Sequence, residues 1–163
     1  MTEPGDLRCM EPFTSSVENV FRTMLKLPVT AGTPKDGAHT EGEKHVRATV
    51  KLTGQVLGAV TLIFPEKTAE AAIKAFIGRV PTFGGADYRD AVGELANMVA
   101  GGAAVRIPGR RVAISCPSVA VSPAPAAKAQ HNAVCMTIPF TIAAGTFAVE
   151  VVLSNAEGAA KAA

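Results

Sequence analysis

Charge is scarce in this chain. Of its 163 residues only 18% are charged, and the formal net charge is +2. Nucleic-acid binding calls for a concentrated basic face, and this balance offers none. The one local cluster, Arg106, Arg110 and Arg111, follows a helical pattern, where cations complement the helix dipole. Cysteine is scarce too. Cys9, Cys116 and Cys135 are an odd set without a C-x-x-C pair, which reads as reduced thiols in a cytoplasmic protein. No apolar run approaches the length that spans a bilayer, and Met1 to Phe13 lacks the apolar region of a leader peptide, so no membrane association is expected. His39, His45 and His131 lie scattered without metal-ligand spacing, and Gly84-Gly85 lacks the Lys-Ser/Thr sequel of a phosphate loop. The chain is therefore expected to carry no metal or cofactor of its own.

What is present is apolar patterning. Hydrophobic residues make up 48%, enough for one domain over residues 1–163 with a single core; about 1–10 and 154–163 read as flexible tails. Phe13, Val17, Val20, Phe21 and Met24 form one stripe of a helix from about Glu11 to Lys26, closed by Leu27-Pro28. A polar stretch from Ala31 to Lys44 reads as an exposed loop. Val46, Ala48, Val50 and Leu52 then alternate with Arg47, Thr49 and Lys51, predicting a strand with one buried and one wet face. Thr53-Gly54 turns it into a second strand, Gln55 to Phe64, and Pro65 opens a short helix with Ala72, Ile73, Phe76 and Ile77 facing inward. A third helix, Tyr88 to Arg106, precedes strand candidates at Val112–Val121, Ala133–Thr141 and Thr146–Leu153. A helix, a strand or loop and then a hairpin thus occur twice, which suggests an internal duplication of architecture. The expected class is α+β: a largely antiparallel sheet covered on one face by helices.

The third helix carries the chemistry. At roughly 100° per residue, Asp90, Glu94, Asn97 and Gly101 share a stripe about 60° wide. Tyr88, Val92, Leu95, Ala96, Val99 and Ala103 occupy the opposite side and are expected in the core. Gly93, Ala100 and Gly101 keep the polar front low, so that another molecule's backbone can approach. Each glycine inside a helix costs up to about 1 kcal/mol relative to alanine, and Gly93, Gly101 and Gly102 all lie here. Asp87 is a plausible N-cap for this helix, and Asp90 then falls in its first turn, where a carboxylate also suits the dipole.

The segment Asp90-Ala-Val-Gly-Glu94-Leu-Ala-Asn97-Met-Val-Ala-Gly101 resembles the signature helix of the CheX and CheC chemotaxis phosphatases: Asp or Ser, three residues, Glu, two residues, Asn. The likeness extends loosely from the first helix through the hairpin TGQVLGAVTLIFPEKTA. The first helix has Val17-Glu18-Asn19 but no Glu-x-x-Asn, so the single-motif, CheX-like type fits better. One departure is Gly102, where relatives often have asparagine.

The resemblance implies a CheC-like, pseudo-duplicated helix-plus-hairpin fold and a phosphatase acting on the aspartyl phosphate of a phosphorylated CheY-like response regulator. Asn97 would orient the attacking water, and Glu94 would dock on the regulator's lysine. Asp90, Gly93 and Gly101 would contact the partner, and Mg2+ would reside on the regulator. It also implies a homodimer joined through sheet edges, for which the terminal hairpin is the expected surface. The competing reading is a non-catalytic module that binds the regulator or acts like a flagellar switch protein.

Overall fold

The computed structural model describes residues 7–37, 44–121 and 134–155. A 3-10 turn, Leu7–Met10, leads into helix α1 (Glu11–Val20), with Pro12 in the first turn where its missing N–H costs nothing. The helix continues as a wider π turn, Phe21–Leu25, and ends at Lys26 in the left-handed region (φ 55°). Phe13, Val17, Val20 and Phe21 are buried as the periodicity predicts, but Met24 is 51% exposed. The π turn accounts for the miss, because its extra residue per turn rotates Met24 off the stripe.

Three stretches departed from expectation. Residues 7–10 are helical with Met10 buried, and the last strand continues to Asn155, so part of each expected tail is ordered; residues 1–6 and 156–163 lie outside the described residues. The polar stretch after α1 contributes two short strands, β1 (Thr30–Ala31) and β2 (Lys35–Asp36), and residues 38–43 lie outside those described. The candidate Val112–Val121 is split at Ser115–Pro117 into β5 (Val112–Ile114) and β6 (Ser118–Val121).

The remaining elements are β3 (His45–Gly54), β4 (Val56–Pro65), helix α2 (Glu66–Ile77), helix α3 (Ala86–Arg106), β7 (Val134–Ile142) and β8 (Gly145–Asn155). The sheet is antiparallel throughout, in the order β1-β7-β8-β4-β3-β5, with β2 also on β7 and β6 also on β3. This bears out the duplication. Each half supplies a helix (α1 or α3), two short strands and a hairpin, and the hairpins meet through the central β4–β8 pair, with Val60 opposite Val151. The short strands cross over: β1 and β2 pair with the second hairpin, β5 and β6 with the first. Consequently β8 is paired on both sides and β7 carries β1 and β2 on its outer side. The terminal hairpin lacks the open edge on which the homodimer expectation rested.

The helices cover one face of the sheet. Val46, Ala48, Val50, Leu62, Phe64, Ile138, Val149 and Val151 are buried beneath them, and Phe147 stacks on Phe21 at 5.0 Å and on Phe140 at 5.2 Å between ring centres. The opposite face is not simply wet. Arg47 and Glu150 are buried there, with Arg47 Nη2 donating to Glu150 Oε1 at 3.3 Å. Single-strand alternation reveals which residues share a face, not what lies over it.

Candidate functional site

Helix α3 begins at Ala86, two residues before the expected Tyr88. Gly85, in an extended conformation, takes the N-cap position, and Asp87 lies inside the first turn, where Arg79 Nη2 donates to its Oδ2 at 2.7 Å. Asp87 is therefore not the cap. Asp90 is the fifth residue of the helix, past the first turn where a carboxylate gains most from the dipole.

The expected division of the helix holds. Tyr88, Val92, Leu95, Ala96, Val99 and Ala103 are all buried, and Ala91, Ala100 and Ala104 are buried as well. Between Asp87 and Val105 only Asp90 and Glu94 are exposed, while Asn97 and Gly101, on the same stripe, are half-buried. A helix so enclosed by its own protein shows the outside only this narrow polar line. Asn97 is less open than the stripe alone predicts: its Oδ1 is shut off from solvent and accepts no hydrogen bond from the protein. An amide oxygen left unpaired in a folded interior costs about 1–3 kcal/mol. Such a group calls for an explanation, and a catalytic role is one.

The space at Gly93 and Gly102 is filled by the chain itself, which the reading of a low front did not foresee. A Cβ on Gly93 would meet Pro117 Cγ at 3.2 Å and Val119 Cγ2 at 3.4 Å, so the chain's own β5–β6 connection fills that space. Gly101 faces Ile114, whose Cδ1 would lie 3.6 Å from an added Cβ. Gly102 turns onto α1, where an added Cβ would overlap Ser16 Oγ. That hydroxyl, fully buried, donates to the Val99 carbonyl at 2.6 Å and pins α1 to α3 next to the site. Arg106 Nη1 donates to the Gly102 carbonyl at 2.9 Å, in keeping with its expected role at the helix end.

Two shallow depressions flank the Asp90–Glu94 line. One is lined by Arg89, Asp90, Gly93, Glu94, Pro117 and Val119. Its wall is well held. Arg89 Nε donates to the Gly84 carbonyl at 2.8 Å and Nη1 to the Val119 carbonyl at 3.1 Å. Ser115 N donates to the Lys51 carbonyl at 3.0 Å, and Lys51 N to Ser115 Oγ at 2.9 Å. The other depression has Phe76, Ile77 and Arg79 across from Asp90 and Glu94. Sequence reasoning missed both walls, although a proline inside a strand pattern, as at Pro117, was a sign that the strand breaks there. Burial pushes the Tyr88 phenol well above its ordinary range, helped by the charges of Glu66 and Glu70. Among the described residues no cluster of His, Cys, Asp and Glu could hold a metal ion, and no helix is long and apolar enough to cross a membrane.

The domain is α+β and presents a carboxylate and a carboxamide one turn apart on an enclosed helix. The family model for the chemotaxis phosphatase CheX matches residues 46–141, and the chain belongs to that family of hydrolases. The CheY-P phosphatase CheX of Thermotoga maritima is 28% identical over 123 residues, which span 70% of this chain and 76% of that protein. The crystal structure of a chemotaxis protein CheX from Desulfovibrio desulfuricans, also 28% identical, superposes with a TM-score of 0.78 over 90% of this chain and 99% of the other. The fold is shared as well with CheX of Borrelia burgdorferi, in a CheX-CheY-BeF3-Mg2+ complex, at a TM-score of 0.74 and 18% identity over 91% and 99% of the two chains.

Proposed function

We propose that this chain hydrolyses the aspartyl phosphate of a CheY-like response regulator, with Asn97 and Glu94 entering the regulator's active site. The observation that carries the reading is the Asn97 carboxamide. It sits one turn beyond the exposed Glu94, with an acceptor oxygen that no protein group satisfies. Phosphoryl transfer passes through a loose transition state, so catalysis asks chiefly for positioning and charge stabilisation. The regulator brings the acyl phosphate and the Mg2+ ion; this chain brings orientation. Docking turns the Asn97 carboxamide, closed to solvent in the free chain, outward, where it holds a water in line with the bond from phosphorus to the aspartyl oxygen. The water oxygen bonds to phosphorus, the aspartyl oxygen leaves as a carboxylate, and inorganic phosphate is released with the water's protons. A neutral amide suits that place because a carboxylate would repel the phosphoryl oxygens. Glu94 pairs with a lysine of the regulator and sets the helix in register. Asp90 stands at the rim, and Gly93 and Gly101 keep the β5–β6 wall close beside the line of contact. The relatives support this: the Thermotoga maritima protein is a CheY-P phosphatase, and the Borrelia burgdorferi one is found in complex with CheY and Mg2+.

The test is phosphate release from a phosphorylated regulator of the same organism, with and without the chain. Asn97→Ala should lower the accelerated rate by about 10²-fold or more, the scale for losing a preorganised polar group. Glu94→Ala should chiefly weaken docking. Wild-type turnover by Asn97→Ala would rule the mechanism out. Binding without any acceleration by the wild type would favour the non-catalytic module.

A further inference from the structure

The C-terminal end of α2 leaves apolar side chains outside where the helical pattern places them inside. Ile77 is 38% exposed and Phe76 half-buried, and both line the depression shared with Asp90 and Glu94. A lone exposed isoleucine needs no explanation. This one borders Asp90 and Glu94, the exposed carboxylates of the enclosed part of α3. Charge separates the two flanks. Beside Pro117, Arg89 donates to the Gly84 and Val119 carbonyls and keeps its positive charge on that flank. Beside Ile77, the one cation, Arg79, is already engaged by Asp87 at 2.7 Å. Among the described residues Asp90 and Glu94 have no ion-pair partner. The α2 side is therefore apolar at its wall and acidic along its edge.

We propose that this depression docks a segment of the response regulator in which an apolar side chain lies next to a lysine or arginine. The apolar group seats against Phe76 and Ile77, and the cation faces Asp90. The proposal rests on the reading of the site given above and adds what recognises the partner. A buried apolar anchor contributes most of the affinity at such a contact, while the charge pairing fixes orientation and speeds encounter.

Steady-state phosphate release from the phosphorylated regulator, measured with wild type, Ile77→Lys, Ile77→Glu and Asn97→Ala, tests it. Circular dichroism should show all four folded alike, since Ile77 is exposed at the end of α2 and Asn97 is only half-buried. Ile77→Lys should raise KM by about tenfold or more with kcat within about twofold, because it removes the anchor and adds a like charge. Ile77→Glu should raise KM less, since its new charge suits a basic segment. An unchanged KM in Ile77→Lys, or equal KM effects of the two substitutions, overturns the proposal. So does light scattering in which Ile77→Lys converts a wild-type dimer to monomer, which would make a second copy the occupant. Asn97→Ala keeps the failures apart: if it loses turnover while Ile77→Lys keeps its KM, the docking surface alone is wrong.

Discussion

Gly102 packs against α1, and that contact says what adding a side chain there should do. In Gly102→Ala the new Cβ overlaps Ser16 Oγ, which cannot swing away without giving up its bond to the Val99 carbonyl inside a closed interior. Overpacking of this kind costs about 1–3 kcal/mol, against a gain of up to about 1 kcal/mol for replacing a mid-helix glycine. The net expectation is a loss of about 1 kcal/mol. Ser16→Ala alone should lose about 1 kcal/mol with its hydrogen bond. Once Oγ is gone, the nearest neighbours of the Gly102→Ala methyl are Ser16 Cβ at 3.3 Å and Arg106 Nη1 at 3.1 Å, and the exposed arginine can move. In the Ser16→Ala background Gly102→Ala should therefore stabilise, by up to about 1 kcal/mol. Urea unfolding of the four proteins, followed by circular dichroism with m-values compared, gives a coupling energy of about 1–3 kcal/mol. If Gly102→Ala stabilises the wild-type chain, or the two effects simply add, the reasoning about this contact is refuted.

Two further outcomes can be checked. Tyr88 is the only tyrosine, and its phenol is buried, unpartnered and held neutral, with its titration raised. Below about pH 10 the phenol is neutral in folded and unfolded chain alike; above it the unfolded chain ionises first, so stability should fall with rising pH by up to about 1.4 kcal/mol per unit from this group. Tyrosinate absorbance should then appear only together with alkaline unfolding; an earlier, separate titration would contradict the burial. Gly101→Ala places its methyl in ordinary contact with Ile114, so it should raise stability by up to about 1 kcal/mol in thermal melts. A rise in KM with it would support a partner's close approach at Gly101, and an unchanged KM would count against that contact.

Much of the site was legible because it lies on one element. Helical geometry alone places Asp90, Glu94 and Asn97 on one stripe and the six apolar positions behind it, and α3 keeps that division. The hairpin β3–β4, α2 and the repeated helix-plus-hairpin order were legible for the same reason: periodicity, turns and caps are local. Ile77 and Met24 were misread where the helices end, since periodicity says nothing about whether a neighbour covers the last turn.

What required the tertiary structure were contacts between residues far apart in the chain. Only the folded sheet shows that the short strands cross to the opposite hairpin, because strand pairing over such separations leaves no period in the sequence. The same holds for the space at Gly93 and Gly102, taken up by Pro117 and by Ser16 rather than left for a partner. It holds too for the Arg47–Glu150 pair, whose partners stand 103 residues apart on a face that alternation had left wet. The sequence determined which residues α3 presents; packing between distant segments decided how narrow that line is and what walls stand beside it.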